Sequence, residues 1–394
     1  MKWFGLIAAG LLLGRPALAA CDGAVGTRPI PLPIYATLPN EGSTFGFMPV
    51  FLRVCEATGR TESILAPSVS YNDTIHWTGT IRSFNYPSDT ETFIAVLSLS
   101  TRINSGLLLH WDNLPKQDGT FTRELELRWE RSVFYRFFGL GADTPEEAET
   151  SYTRLRGHLN TRFGLNLGSD WNAGVALAFH RDAVQDLGVG NLPISRRVFP
   201  NAPGMNGSAS LWQLIDVRYD TRKNREYSVK GMSLDASVGL EEDFMSGPAF
   251  ARGSVAWRYL LPELSWLSAA ARLDTSFVST SRAPFYDQSS LGGAFLLRGY
   301  TSDRFIDENA WTVELEERVR VVELHLFGVT ADVRVDPFVA AGQVFGGFNQ
   351  AFSSPHFTTG IGFRAFVHPN VLGRVDVATG GEGLDVYVEL GYPY

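Results

Sequence analysis

Apolar and polar residues alternate along most of the chain after residue 45. Between Phe121 and Val133, in FTRELELRWERSV, most odd positions are apolar, whereas even positions carry Glu124, Glu126 and Arg128. The stretch WTVELEERVRV, residues 311–321, repeats the pattern. A period of two residues is that of a β-strand with one apolar and one polar face. The sequence therefore predicts an all-β chain.

The length of these segments distinguishes a membrane barrel from a soluble sandwich. In a sandwich the apolar faces form the core, whereas in a membrane barrel they face lipid and the polar faces line the lumen. Many segments are about 10 to 17 residues long, and a tilted strand needs about 9–11 to cross a bilayer. The pattern predicts a transmembrane antiparallel β-barrel.

The predicted strands also have an order typical of outer-membrane barrels. We count sixteen between residues 45 and 394, taking 91–112 as one long strand. Short connections, such as NDTI at 72–75 and LGS at 167–169, alternate with longer ones at 138–149, 182–206, 278–308 and 345–356. An even strand number, with short periplasmic turns and longer external loops, is typical of outer-membrane barrels.

The N-terminus indicates export. Residues 1–20 have a basic start, an apolar run and a small-residue cleavage site, as in a secretory signal peptide. Residues 21–44 hold four prolines and are predicted to be a linker or plug segment, which leaves 45–394 as the barrel. Cys21 follows LAA and is a candidate for lipid attachment, against plain cleavage. Cys21 and Cys55 could also form one disulfide or stay free.

Charge and motifs exclude several classes of function. A net charge of −8 argues against nucleic-acid binding. No window after the signal is long and apolar enough for a membrane helix. The chain has no motif typical of hydrolases, nucleotide binding or metal binding, so we expect no enzyme, cofactor or metal site. His158 lies on a predicted lumenal face, where a solvated histidine is commoner than a catalytic one.

Several motifs in the last third resemble one known family. LLRGY at 296–300 matches its V/L-R-G-F/Y loop signature, and DPFVAAGQVF at 336–345 is similar to its Phe-x-Asp-x-Gly strand. YDTRKNREYSVKG at 219–231 resembles its Asp-x-Arg-Asp-Asn turn, and the closing VYVELGYPY resembles its last strand. On these motifs the chain resembles the BamA and TamA outer-membrane assembly-factor superfamily, also called the bacterial surface-antigen family.

The resemblance implies a structure for the loop after the eleventh predicted strand. In that family the loop folds into the barrel and its arginine docks onto acidic residues of the inner wall. Here the motif is Arg298, Gly299 and Tyr300, with Gly299 allowing a sharp turn. The family aspartate is replaced by Ala340, which cannot accept a hydrogen bond. Glu314, Glu316 and Asp336 share the predicted face and are the expected partners of Arg298.

The resemblance also frames the function. The assembly factors carry periplasmic POTRA domains that receive client polypeptides, and this chain is similar to barrel-only members without them. We expect a protein of the bacterial outer membrane that contacts its lipid and assists insertion or translocation with periplasmic partner proteins or client polypeptides. Gly391 and Pro393 weaken the pairing of the last strand, which suits opening of the barrel wall. The alternative is a passive pore or surface protein that keeps the fold without the activity.

Overall fold

The structure, a computed structural model, describes residues 21, 23–38, 40–222, 228–245, 247–326, 329–367 and 371–390. The signal-peptide prediction for residues 1–20, most of the RKNRE turn and the closing GYPY lie outside these residues. The strands are β1 (Val25–Leu38), β2 (Gly42–Cys55), β3 (Thr61–Asn72), β4 (His76–Asn85), β5 (Glu91–Ser100), β6 (Ser105–Asn113), β7 (Phe121–Phe137), β8 (Thr150–Leu167), β9 (Trp171–Gln185), β10 (Ser208–Asp220), β11 (Gly231–Asp243), β12 (Phe250–Pro262), β13 (Leu267–Val278), β14 (Ser289–Leu291), β15 (Phe305–Asp307), β16 (Asn309–Leu326), β17 (Val329–Phe345), β18 (His356–Val367), β19 (Val371–Thr379) and β20 (Asp385–Leu390).

Among the described residues, helical structure is confined to single turns. A four-residue helix, α1 (Ser195–Val198), and the 3₁₀ turns Glu146–Ala148 and Phe348–Gln350 lie in connections between strands. Across the described ranges, no helix has the length and apolar character required to cross a membrane.

Eighteen strands form one antiparallel sheet that curls into a nearly closed barrel. Each strand pairs with the next along the chain, and β13 pairs with β16 across the intervening loop. β14 and β15 form a separate two-stranded sheet within that loop. The curled sheet brings β20 back beside β1, where Cα atoms of the two strands approach within 8 Å. The predicted all-β barrel is confirmed.

The strand count differs from the predicted sixteen at two places. The segment 91–112 contains two strands, β5 and β6, because the chain reverses at Ile103, which has a φ of 59°. The turn is closed by a hydrogen bond from the Ser100 N–H to the Asn104 carbonyl. The segment 21–44 is neither a linker nor a plug, because it contains β1, which pairs along its whole length with β2.

The division of 91–112 into β5 and β6 and the addition of β1 change which connections lie at the same end of the barrel. The loops at 138–149, 186–207, 279–308 and 346–355 lie at one end, which we call the loop end. The turns at 168–170 and 263–266 lie at the other, the turn end, together with the start of β1 and the end of β20. The NDTI connection, grouped with the short turns by the sequence, belongs to the loop end because 91–112 is two strands.

Alternation along β7 places apolar residues outside and polar residues inside. On β7, Phe121, Leu125 and Trp129 are exposed on the outer surface. Glu126 lies on the inner face, where its Oε1 is 2.9 Å from the Nε2 of His158 on β8. The predicted assignment of faces is therefore confirmed on this strand, where the lumenal wall is polar and charged. On β2 and β3 the inner face is apolar instead, with Val50, Leu52 and Ile64 buried together.

Candidate functional site

The connection between β13 and β16 folds into the lumen and covers part of its wall. Phe285 near its start is buried against Phe137 and Tyr152, which lie on β7 and β8. Further along, Leu291 and Leu297 pack against β16 and β17 at Ala310, Ala340 and Val344. The inward-folded loop is therefore confirmed. It follows the thirteenth barrel strand, rather than the eleventh, because of the two strands that the sequence missed.

Arg298 is the most completely buried cation of this loop, with no exposed side-chain surface. Its Nη2 lies 2.8 Å from Oε1 of Glu314, and its Nε lies 3.3 Å from Oε2, so the two groups pair in a two-pronged arrangement. Nη2 is also 3.3 Å from Oε2 of Glu316. Nη1 is 3.0 Å from Oδ1 of Asp376 on β19. Such charge-assisted pairs hold a guanidinium in one orientation.

The neighbouring carboxylates keep this arginine charged. Burial alone would lower the pKa of Arg298, but Glu314, Glu316 and Asp376 together raise it above its ordinary value. The ring of Phe338 lies under the guanidinium, with 3.5 Å between Cζ and the ring centroid. Arg298 is thus a permanent cation enclosed by carboxylates and one aromatic face.

Gly299 and Tyr300 attach the loop to the last two strands. The Gly299 N–H donates to the hydroxyl of Tyr387 on β20, at 3.0 Å, and that hydroxyl is 2.9 Å from the Tyr300 carbonyl. The Tyr300 hydroxyl contacts the carbonyl of Gly380. A Cβ on Gly299 would lie 2.7 Å from the backbone of Thr379, and its φ of +110° also favours glycine. The backbone therefore approaches β19 as closely as only glycine permits.

Two of the three predicted partners of Arg298 lie within ion-pair distance of it. Glu314 and Glu316 contact it directly. Asp336 is not a direct partner, because it pairs with Arg364 on β18, with 3.3 Å between Oδ2 and Nε. Asp376 takes the third position and was missed by the sequence reading. The alternation of RVDVA, residues 374–378, could have indicated Asp376, because it places Arg374 and Asp376 on the inner face.

The contacts of Arg298 belong to a larger buried network of ion pairs. Asp376 also binds Arg364, at 2.6 Å between Oδ1 and Nη1, and Arg374, at 2.9 Å between Oδ2 and Nη1. Glu316 binds Arg318 at 2.9 Å. The network thus joins four arginines, residues 298, 318, 364 and 374, to four acids, residues 314, 316, 336 and 376. Equal numbers of opposite charges allow this burial.

The junction of β1 and β20, which we call the seam, differs from the other strand junctions. No hydrogen-bonded ladder joins these two strands within residues 23–38 and 371–390. Every other neighbouring pair of barrel strands has one. The predicted effects of Gly391 and Pro393 fall outside the described residues, but β1 carries its own signal.

Three prolines remove hydrogen-bond donors from the seam edge of β1. Pro31 lies opposite Pro49 of β2, and neither residue has an N–H. This pair must therefore be a non-hydrogen-bonded pair of the ladder, whose backbone N and O atoms point away from the partner strand. Pro29 and Pro33 share the parity of Pro31. All three nitrogens and carbonyls point towards β20, so at these three positions the edge offers acceptors without donors.

The pairing of β2 with β3 supports this orientation. Pro49 must then direct its nitrogen towards β3, where Pro67 is the residue opposite it. The ladder between β2 and β3 is interrupted there, between the pairs Phe47–Val69 and Phe51–Leu65. Prolines facing each other at hydrogen-bonding positions account for the gap.

A disulfide fastens the other edge of β1. Cys21 is bonded to Cys55 at the end of β2, with 5.7 Å between their Cα atoms. A sulfur in a disulfide has no valence left for a lipid thioether, so Cys21 is not a lipidation site in this structure. The bond ties β1 to β2 at the turn end of the barrel, while the seam edge of β1 has no such tie among the described residues.

The outer surface carries large apolar residues in the middle of the barrel and aromatic residues towards both ends. Tyr35 and Phe45 stack at the loop end, with 5.1 Å between ring centroids. Trp171 and Tyr219 pack at the turn end, at 4.7 Å. Between the ends, side chains such as Ile215 are more than half exposed. Apolar bands with aromatic borders are typical of barrels that face lipid.

Comparison with known proteins identifies relatives by structure. No protein-family model and no curated protein sequence matches the chain. BamA from Haemophilus ducreyi lacking POTRA domains 1–3 resembles it with a TM-score of 0.57 and 12% identity, over 92% of this chain and 74% of that one. CdiB from Escherichia coli has a TM-score of 0.50 and 11% identity, over 92% of this chain and 62% of that one. The resemblance to the assembly-factor superfamily is confirmed at the level of fold.

Proposed function

We propose that this chain is a bacterial outer-membrane barrel that assists insertion or translocation of polypeptides by opening sideways at the seam. The proposal rests on the absence of N–H donors at Pro29, Pro31 and Pro33, on the edge of β1 that faces β20. A closed barrel is held by hydrogen bonds around its whole wall, and unpaired backbone groups are costly in lipid. The seam lacks such bonds at Pro29, Pro31 and Pro33, so it is the junction that opens at the lowest cost.

The lumenal loop supports the same proposal, because its motif holds one side of the seam. Arg298 connects β16 to β19, and Gly299 contacts Tyr387 on β20. The disulfide holds β1 to β2 on the other side. Each side is therefore anchored to its own half of the wall, which leaves the seam as the line along which the two halves separate.

The chemistry of the seam also specifies how an extended client strand would pair. A sheet edge binds a strand through alternating donors and acceptors. Beside the prolines, β1 can only accept hydrogen bonds, so a client strand would make about half of the normal bonds there. β20 has no proline in Asp385–Leu390 and keeps its donors. We infer that a client pairs first with β20, and that periplasmic partner proteins deliver it.

A passive pore or surface protein is the alternative, since a protein can keep a fold after losing the activity associated with it. Depletion of the chain followed by quantitative proteomics of the outer membrane separates the two. Loss of other barrel or surface proteins, restored by re-expression of the wild-type chain, is the expected result. If their abundance stays constant while the barrel is depleted, the passive alternative replaces this proposal.

A further inference from the structure

A second buried cluster lies in the lumen, away from Arg298. It consists of His180 on β9, Glu241 on β11 and Asp287 on the inward loop, and each residue is at least nine-tenths buried. One ligand atom from each side chain lies within 4.8 Å of the others. Three segments that are far apart in sequence thus bring an imidazole and two carboxylates to one point.

The hydrogen bonding of this cluster is incomplete. Glu241 accepts a hydrogen bond from the Ser210 hydroxyl through Oε1, at 2.7 Å, whereas its buried Oε2 accepts none. The cation beside it is Arg252, whose Nη1 lies 3.5 Å from Glu241 Oε2 and 3.8 Å from Asp287 Oδ1. Arg252 also lies over the ring of Trp212, with 4.6 Å between Cζ and the ring centroid.

We propose that His180, Glu241 and Asp287 bind one zinc ion. Two carboxylates supply oxygen ligands and negative charge, which Arg252 offsets in part, and the imidazole favours zinc over magnesium or calcium, which prefer oxygen ligands. Ligand atoms on one tetrahedral zinc are separated by about 3.4 Å. From separations of up to 4.8 Å the ligand atoms therefore need to close by at most about 1.4 Å, and the fourth position is left for water.

The ion would fasten the inward loop to the wall at a second place. Asp287 belongs to the loop, whereas the other two ligands belong to strands on either side of β10. Its neighbour Tyr286 already contacts this wall, with 3.0 Å between its hydroxyl and that of Ser208. The Arg298 network holds the loop to β16, β19 and β20, so the zinc site is a separate anchor on the opposite part of the sheet.

Zinc binding by the purified, untagged, full-length barrel tests this proposal. Protein treated with a chelator and folded in detergent is incubated with zinc chloride in excess magnesium, desalted, and analysed for metal by mass spectrometry. We expect one zinc per folded chain, and affinity lower by about 100-fold or more in His180→Gln and in Asp287→Asn. Zinc should also slow chymotrypsin cleavage at Phe285 and Tyr286 in the wild type.

His158→Gln is the matched control, because His158 lies opposite His180 on the neighbouring strand and is outside the trio. It should keep wild-type zinc affinity. Folding of each variant is checked by the heat-dependent shift of barrels in gel electrophoresis, and Asp287→Asn tests the site without altering a wall strand. Less than stoichiometric zinc on the folded wild type, or equal loss in the control, overturns the proposal. These outcomes do not depend on activity, so they leave the seam proposal standing.

Discussion

At the scale of single residues, Arg298 makes most of the charged attachment between the lumenal loop and the wall. It contacts carboxylates of two strands that are separated by β17 and β18, so it crosses part of the inner wall. A buried arginine of this kind is stable only while its partners are present, and the partners are stable only while it is. The position of the loop therefore depends on this ion-pair network together with the packing of Phe285, Leu291 and Leu297.

We predict that Arg298→Ala releases the loop without unfolding the barrel. The variant leaves Glu314, Glu316 and Asp376 short of one cation, at a cost of about 3 kcal/mol. The wall keeps its backbone hydrogen bonds, so the heat-dependent gel shift should persist. Chymotrypsin should cut faster at Tyr300, which is buried in the wild type. Arg282→Ala, at an exposed position of the same loop, is the control and should be cut like the wild type.

The pairing itself is tested by removing the acids. Glu314→Gln, Glu316→Gln and Asp376→Asn together should reproduce the loop release, and adding Arg298→Ala should then change little. Additive effects would show that these acids do not act through Arg298. Protease resistance that is unchanged in Arg298→Ala would show that other contacts are sufficient to hold the loop.

Single residues also show how much of this site could be predicted from the sequence. Glu314 and Glu316 could be predicted because they lie on a strand with strict alternation next to the motif. Asp376 comes to Arg298 only through the curvature of the barrel, which places β19 opposite the loop. Asp336 has the right parity, but Arg364 is its partner, and parity does not determine which of two arginines an acid meets.

At the scale of elements, successive residues of each strand point alternately to the lipid and to the lumen. Substitutions at two neighbouring positions of one strand test this assignment directly. On β11, Val238 points outward, whereas Ser237 points inward and lines a lumenal cavity of about 350 Å³ with Asp216 and Asp235. We predict that Val238→Arg destabilises the folded barrel by about 2–4 kcal/mol near the bilayer midplane. Ser237→Arg has space and acidic neighbours, and its effect should be below about 1 kcal/mol.

Refolding of both variants into lipid vesicles across a urea series measures these free energies. Because the two positions are adjacent on one strand, differences in strand propensity and depth nearly cancel. Equal destabilisation by the two substitutions would contradict the assignment of faces, and with it the position of this barrel in a membrane.

Strand boundaries were predictable where alternation was strong and the connection carried turn residues. They were not predictable at 91–112, where the turn contains no glycine or proline and Ile103 takes a left-handed conformation. They also failed at β1, because proline at every second position looks like a linker. Those prolines leave the intervening N–H groups free to pair with β2. The same spacing therefore makes the strand hard to recognise in the sequence and removes the N–H donors at Pro29, Pro31 and Pro33 from the edge that faces β20.

At the scale of the whole molecule, the seam is the junction of barrel strands that has no hydrogen-bonded ladder within residues 23–38 and 371–390. Replacing Pro29, Pro31 and Pro33 by valine returns three N–H donors to the seam and keeps apolar side chains towards lipid. At about 1 kcal/mol for each hydrogen bond, the closed seam gains about 3 kcal/mol, which lowers the open population roughly 100-fold.

The most direct measurement is whether this triple valine variant can replace the wild type in depleted cells. Pro67→Val is the control, since it restores a donor between β2 and β3, away from the seam. Both variants must reach the outer membrane at wild-type levels and show the heat-dependent gel shift. We predict that Pro67→Val restores the outer-membrane proteins lost on depletion and that the triple variant does not. Full restoration by the triple variant would contradict lateral opening at the seam.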